Sequence, residues 1–316
     1  MIEIFYKKDG QMMVSQSEAS LTEISYDSVV WIDLFSPSGE EKRAVETYLG
    51  TTIQNRAQAE EIEISSRFSE TEKAIFANTS FLIPGPEEYN EETVSFILTD
   101  NIQTTLRECP LRSFTDLQRR LLAFPTMYSS GHVAFLSILE QRIDLDADMV
   151  EIVSKEITQF TKKISLGEDI SEEFLIDLNQ MQDNTMLIRE NIVDKQRVIS
   201  SILKSAKYPK EYQAKLNVLL KDISSLLNHT NFSFERLEYL QNTVLGIINL
   251  DQNKIMKVFT LVSLMLMPPT LIASFFGMNV RFGWFGTSCV SWLIVLILMG
   301  ISTVVIFWIF KKRNMF

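Results

Sequence analysis

Ten positions between Asn242 and Ser274 carry the side chains best suited to meet a hydrated cation. Asn242, Gly246, Asn249, Asn253, Met256, Thr260, Ser263, Met267, Thr270 and Ser274 follow one another at alternating steps of four and three. That is the 3.5-residue repeat of helices packed about a common axis. Each position is an amide, a hydroxyl, a methionine or a glycine, while Leu, Ile, Val and Phe fill the flanks. An ordinary coiled-coil seam is apolar, so this one predicts helices lining a wet channel. The rival reading has each Ser or Thr bonding its own backbone or a neighbouring helix. No acid lies on the stripe, so an ion would meet it through neutral oxygens and keep its water. Magnesium, which gives up its shell reluctantly, suits such a path. Met256 and Met267 would then form apolar constrictions that gate by dewetting.

The elements that position these groups are membrane spans. Residues 258–276 run 19 positions without a charge, and residues 289–310 run 22 more. About 20 apolar residues cross a hydrocarbon core as a helix, so both segments qualify. Lys254 and Lys257 precede the first span and Lys311, Lys312 and Arg313 follow the second, whereas the connecting segment has Arg281 alone. The positive-inside rule therefore places both termini in the cytoplasm. The triplet Gly277-Met278-Asn279 falls at the outer end of the first span. Glycine there can take the backbone angles that end a helix and expose carbonyls. Asn279 offers a neutral oxygen to the water of a hydrated ion, and Met278 is expected to pack. Two spans per chain cannot enclose an aqueous path, so transport requires a symmetric oligomer.

Charge divides the chain in the same place. From residue 241 onward Asp251 is the only acid against six bases, so the first 240 residues hold 39 of the 40 acids and 24 of the 30 bases, a net of −15. An acidic water-facing body disfavours nucleic acid as a partner and favours divalent cations. Cys109 and Cys289 are too few for a disulfide framework and point to a reducing compartment. His132 and His229 exclude a dense histidine metal cluster on one chain. The opening MIEIFYKKDG has no apolar core of a cleaved signal. There is no Gly-rich phosphate loop, CxxC, HExxH or nucleophile elbow, so an enzyme is not expected.

Within the body, Ile2–Lys7, Val29–Leu34, Lys73–Leu82 and Val94–Leu98 read as strands, broken by Pro37 and by Pro84-Gly85-Pro86. Helical periodicity starts near Phe114 and dominates from Val133, with a break at Ser165–Ile170. Pro209 suits the first turn of a new helix, which then meets no proline until Pro268. At about 1.5 Å per residue that helix would exceed roughly 85 Å and could carry a binding event to a gate.

The stretch NKIMKVFTLVSLMLMPPTLIASFFGMN resembles the first span of the CorA family of divalent-cation transporters, with Asn253, Met256, Met267, Pro268, Thr270 and Gly277-Met278-Asn279 at matching places. VVWIDLFSPSGEE (29–41) resembles the family's Trp-Ile-Asp-Leu strand, followed by Pro and a helix. SRFSETEKAIFANTSFL (66–82) and TVSFILTDN (93–101) are similar to its later strands. The resemblance implies a homopentamer with a funnel-shaped cytoplasmic domain, a pore lined by the first span and a second span packed outside it. It also implies that Asn279 helps to form the entrance ring.

Two departures stand out. The family commonly follows its GMN with an acidic loop, whereas VRFGWFGT has no acid and carries Arg281. Magnesium-gated members place carboxylates along the stalk; the matching positions here are Val218, with Asp222 one turn later, and Asn242. An inhibitory magnesium site is then absent, moved, or built from Glu87, Glu88, Glu91, Glu92 and Asp222, for which a solvated acidic surface is the plainer reading. The zinc-associated ZntB branch also tends to lack the acidic loop.

The expected architecture is an α+β membrane protein: a cytoplasmic α/β domain (1–132), cytoplasmic antiparallel helices (133–208), a stalk helix (209–257), transmembrane helix 1 (258–276), the outer GMN loop (277–288), transmembrane helix 2 (289–310) and a basic cytoplasmic end (311–316). The expected function is a homopentameric inner-membrane channel for Mg2+, with Co2+ and Ni2+ as further candidates and no cofactor beyond the cation as substrate and regulatory ligand. The rivals are a zinc transporter, with or without proton coupling, and a membrane-anchored scaffold that conducts nothing.

Overall fold

The computed structural model describes residues 1–55, 58–59, 67–85, 89–167, 172–278 and 289–312. The chain divides into two units, Met1–Gln241 and Asn242–Phe316. Seven strands in the first unit make one sheet: β1 (Ile2–Lys8), β2 (Gln11–Ser15), β3 (Val29–Phe35), β4 (Phe68–Glu70), β5 (Ile75–Pro84), β6 (Tyr89–Thr99) and β7 (Ile102–Arg107). They lie in the order β2-β1-β3-β7-β6-β5-β4. The β3–β7 pair is parallel and the other neighbours are antiparallel. Asp9 and Gly10, with φ of 52° and 79°, form the two-residue turn that joins β1 to β2. Two consecutive positive φ angles are what a tightly twisted hairpin asks of its turn.

Both faces of the sheet are covered, and this explains why β3 reads as the continuous run VVWIDLF rather than as an alternation. One face packs Ile2, Ile4, Ile32, Leu34, Phe76 and Ile97 against Val45 and Leu49 of α1 (Gly39–Leu49). Ser38 starts that helix with a capping box. Its hydroxyl accepts from the Glu41 N–H at 3.1 Å, and the Glu41 carboxylate accepts from the Ser38 N–H at 2.8 Å. The other face stacks Phe5 on Trp31 and gathers Phe81, Phe96, Phe114 and Phe135. Phe114 comes from α2 (Arg112–Ala123) and Phe135 from α3 (Gly131–Leu166).

Gly131 locks α3 to the turn between β6 and β7. A Cβ there would meet the Gln103 nitrogen at 2.2 Å and the Asn101 oxygen at 2.6 Å. After Leu166 the chain leaves the helix through Gly167 at φ 68°, inside the expected break. The next helix, α4 (Glu172–Lys204), is tied to α3 and β5 by a buried ionic network. Arg142 donates to Asp146 at 2.6 Å and to the Leu82 carbonyl at 2.9 Å. The Lys195 ammonium lies 3.1 Å from Asp146 and donates to the Ser80 carbonyl. Asp194 accepts from the Thr79 hydroxyl and the Ser80 N–H, and pairs with Arg67 at 3.3 Å.

Pro209 precedes a short 3-10 turn, Lys210–Tyr212, and α5 (Gln213–Gly277) follows. This 65-residue helix begins in the first unit and ends in the second. It runs through Pro268 and Pro269, which cannot donate to the Leu264 and Met265 carbonyls. The second unit is completed by α6 (Cys289–Lys312). Among the described residues two helices are long and apolar enough to cross a membrane: the one ending at Gly277 and the segment Trp292–Lys312.

Candidate ion path

The register of α5 is set where the helix packs. In the first unit it buries Leu216, Leu219, Ile223, Thr230, Ser233, Leu237 and Leu240, and Val244 continues the seam at 0% exposure. These positions keep steps of three and four, apart from one step of seven between Ile223 and Thr230. Asn242 and Gly246 stand two residues either side of Val244, a rotation of about 200°. The polar stripe therefore starts on the side of the helix opposite its buried seam, and Asn242, Gly246 and Asn249 are all exposed.

Further along, Asn253, Met256, Thr260, Met267, Thr270 and Ser274 are exposed and Ser263 is half-buried. One chain alone does not separate stripe from flank. Phe259 and Leu271, at 70% and 71% exposure, are more open than Met256 and Met267 at 60% and 63%. Ser263, Met267, Thr270 and Ser274 line an open cleft of about 480 Å³ together with Leu266 and Leu271. The two leucines were not singled out from the sequence, because a walk along one face passes over the immediate neighbours of Met267 and Thr270.

Two of the stripe's hydroxyls are engaged with their own helix. Ser263 Oγ donates to the Phe259 carbonyl at 2.9 Å, and Thr270 Oγ1 donates to the Leu266 carbonyl at 2.7 Å. This is the backbone bonding that the rival reading expects. It does not spend the oxygen, whose lone pairs still accept. A hydroxyl held this way presents an acceptor outward, which matches the outward-pointing hydrogens of a cation's water shell.

At the end of the stripe, Gly277 is the last residue of α5 and Met278 is 56% exposed. Asn279 and Arg281 lie outside the described residues. So do Glu87 and Glu88 of the acidic group considered for regulation. Its remaining members, Glu91, Glu92 and Asp222, differ in their surroundings. Glu92 is 4% exposed, and its Oε1 accepts from the backbone N–H groups of Glu108 at 2.7 Å and Cys109 at 3.0 Å. That carboxylate closes the turn after β7, whereas Glu91 and Asp222 face solvent. Among the described residues no three His, Cys, Asp or Glu side chains gather as a metal site.

The described fold is a sheet-based unit continued by one long helix, with the apolar end of that helix and α6 as two candidate membrane helices. The family described as "CorA-like Mg2+ transporter protein" matches residues 26–312. A magnesium transport protein CorA of Wolinella succinogenes is 32% identical over 325 aligned positions, covering 99% of each chain. The Escherichia coli protein of that name is 31% identical over 258 positions, or 81% of this chain and 82% of that one. The chain belongs to the CorA family. Among solved structures, the CorA magnesium transporter from Methanocaldococcus jannaschii superposes with a TM-score of 0.82 over 99% of this chain and 98% of that one, at 16% identity. The full-length CmaX protein gives 0.75 at 12% identity, covering 99% and 97%. The cytoplasmic domain of ZntB from Vibrio parahaemolyticus gives 0.58 at 14% identity, covering 78% and 97%. At these identities the likeness concerns the fold.

Proposed function

We propose that five copies of this chain assemble into a magnesium channel of the inner membrane, with both termini in the cytoplasm. In this reading the α5 stripes face a shared aqueous axis, and the hydrated ion is recognised first at a ring of Gly277-Met278-Asn279 triplets. Asn and Thr oxygens accept hydrogens from the ion's water, so the shell stays intact along the path. The thioethers of Met256 and Met267 narrow it and can close it by dewetting. Movement of the cytoplasmic unit reaches these constrictions through α5. The observation that carries the reading is the register of the stripe: a 3.5-residue polar repeat kept through an apolar span, which starts at Asn242 and Gly246 on the side of the helix opposite the buried Val244. Membership of the CorA family supports magnesium as the cargo.

The test is Mg2+ uptake into proteoliposomes by the wild type and by Asn279→Ala. Loss of an oxygen acceptor from each copy should lower uptake by about tenfold or more, since one hydrogen bond to a charged species is worth about 1.5–3 kcal/mol. Full flux in the variant would remove the triplet from the mechanism. No flux in the wild type, with an intact oligomer by native mass, would favour the scaffold.

One observation favours zinc as a second reading. The connecting segment VRFGWFGT lacks the carboxylates that concentrate divalent cations and carries Arg281 instead. Competition of Zn2+ against Mg2+ in the same vesicles, with and without a pH gradient, decides between the two and tests Co2+ and Ni2+ alongside.

A further inference from the structure

We propose that the basic end of the two spans is a docking surface for anionic phospholipid headgroups. The inference rests on the two-span reading and does not depend on transport. If both helices cross, the start of the first and the end of the second must emerge on the same side. Lys254 and Lys257 then share that side with Lys311 and Lys312. All four are exposed.

The unit provides almost nothing else for these charges. Asp251 is the only acidic side chain after residue 241. It is already paired, with Lys254 Nζ 2.8 Å from its Oδ1. Lys257, Lys311 and Lys312 are left with no acidic side chain of residues 242–316 to neutralise them. Three ammonium groups with no acidic side chain in their own unit, placed at the end of a membrane span, sit at the depth of lipid phosphate, and each attracts an anionic surface.

Trp308 marks the depth of the surface. Its ring is 60% exposed, one turn before the end of α6, where an indole settles at the headgroup level. Lys312 Nζ lies 5.1 Å from the ring centroid. One face of the indole is therefore held by the protein's own cation. For a zwitterionic headgroup the attraction of its phosphate to these lysines is offset by the repulsion of its ammonium. A headgroup with net negative charge, such as phosphatidylglycerol, finds only attraction.

The experiment uses the full chain purified in detergent, with equal amounts of phosphatidylglycerol and phosphatidylcholine of the same acyl chains. Retained lipid is counted by native mass spectrometry. The wild type should retain phosphatidylglycerol preferentially. Each lysine near an anionic surface is worth about fivefold, so Lys311→Gln/Lys312→Gln should reduce the preference by about thirtyfold and Lys257→Gln by about fivefold. Lys8→Gln/Lys215→Gln, which removes exposed lysines of the first unit, should leave it unchanged. Equal retention of the two lipids by the wild type overturns the proposal. So does an unchanged preference in Lys311→Gln/Lys312→Gln, or an equal loss in Lys8→Gln/Lys215→Gln. Because nothing in the readout requires ion flux, a non-conducting protein that keeps its lipid preference would sink the channel reading and leave this one standing.

Discussion

Lys195 occupies a place that an apolar residue of similar length could fill. Its side chain is fully buried among Asp146, Asn191, Asp194 and the Ser80 carbonyl, over the face of Phe81. Burial pushes its ammonium down from 10.5 to about 8, against the pull of Asp146. Because the folded value is the lower one, the folded chain carries the full cost of the buried charge below pH 8. Between about pH 8 and 10.5 the unfolded chain holds a proton that the folded chain has lost, so stability rises with pH, by about 1.4 kcal/mol per unit. Tyr48, raised to about 12 by burial, acts in the opposite sense only above about pH 10. Lys195→Met should remove the upward slope. Arg142 still neutralises Asp146 in that variant, at 2.6 Å, so no carboxylate is left alone. Melting temperatures of wild type and variant, measured from pH 7 to 9.5, should converge or cross in the variant's disfavour as the pH rises. Parallel curves would mean that Lys195 does not titrate in this range.

At the scale of elements, what could be read from the sequence tracks what each element buries. Four strand runs were visible because they are apolar: β1, β3, β5 and β6 fall on or around the expected Ile2–Lys7, Val29–Leu34, Lys73–Leu82 and Val94–Leu98. β7 was not visible, although it is central. Its IQTTLR buries Gln103, Thr104 and Thr105 at 0% exposure, and part of its polarity is absorbed by neighbours. Thr105 donates to Asp33 at 2.7 Å and accepts from the Trp31 indole at 2.9 Å, while Arg107 pairs with Asp33 at 2.7 Å. A hydrophobic pattern cannot report a strand stabilised this way. β2 and β4 are too short, at 5 and 3 residues, to show a period. The stripe on α5 was legible because polar residues inside an apolar run need a reason, but its orientation was not, since a single chain opens every side of that helix. Substituted cysteines can supply the orientation. With Cys109 and Cys289 replaced by Ser, a membrane-impermeant cationic thiol reagent should label Thr260→Cys and Thr270→Cys. It should spare Val258→Cys and Val262→Cys, each about 200° from Thr260 on the helix. Labelling of the valine positions, or of neither set, would remove the stripe from an aqueous path.

Across the whole molecule the charges are strongly segregated, with a net of −15 on the first 240 residues and one acid against six bases beyond. A body of that sign attracts divalent cations and a basic end does not, so the asymmetry should shape cation uptake. Arg281 is the residue in which the effect can be isolated. In a fivefold ring it would place five positive charges beside the outer mouth, in the path of an arriving cation. Electrostatic focusing at a pore mouth changes association rates by about tenfold or more at low ionic strength. Arg281→Glu should therefore raise initial Mg2+ uptake by about that factor in dilute buffer. The advantage should fade at 1 M monovalent salt, where the screening length shrinks to about 3 Å. A gain that survives high salt would indicate a change in the pore and not in its field. Equal uptake by the two proteins at every ionic strength would show that the Arg281 side chain stands away from the ion's route, paired with lipid phosphate or turned outward. The absence of an acidic loop would then cost this family member little, and the neutral oxygens of the Asn279 ring would be sufficient to admit the ion.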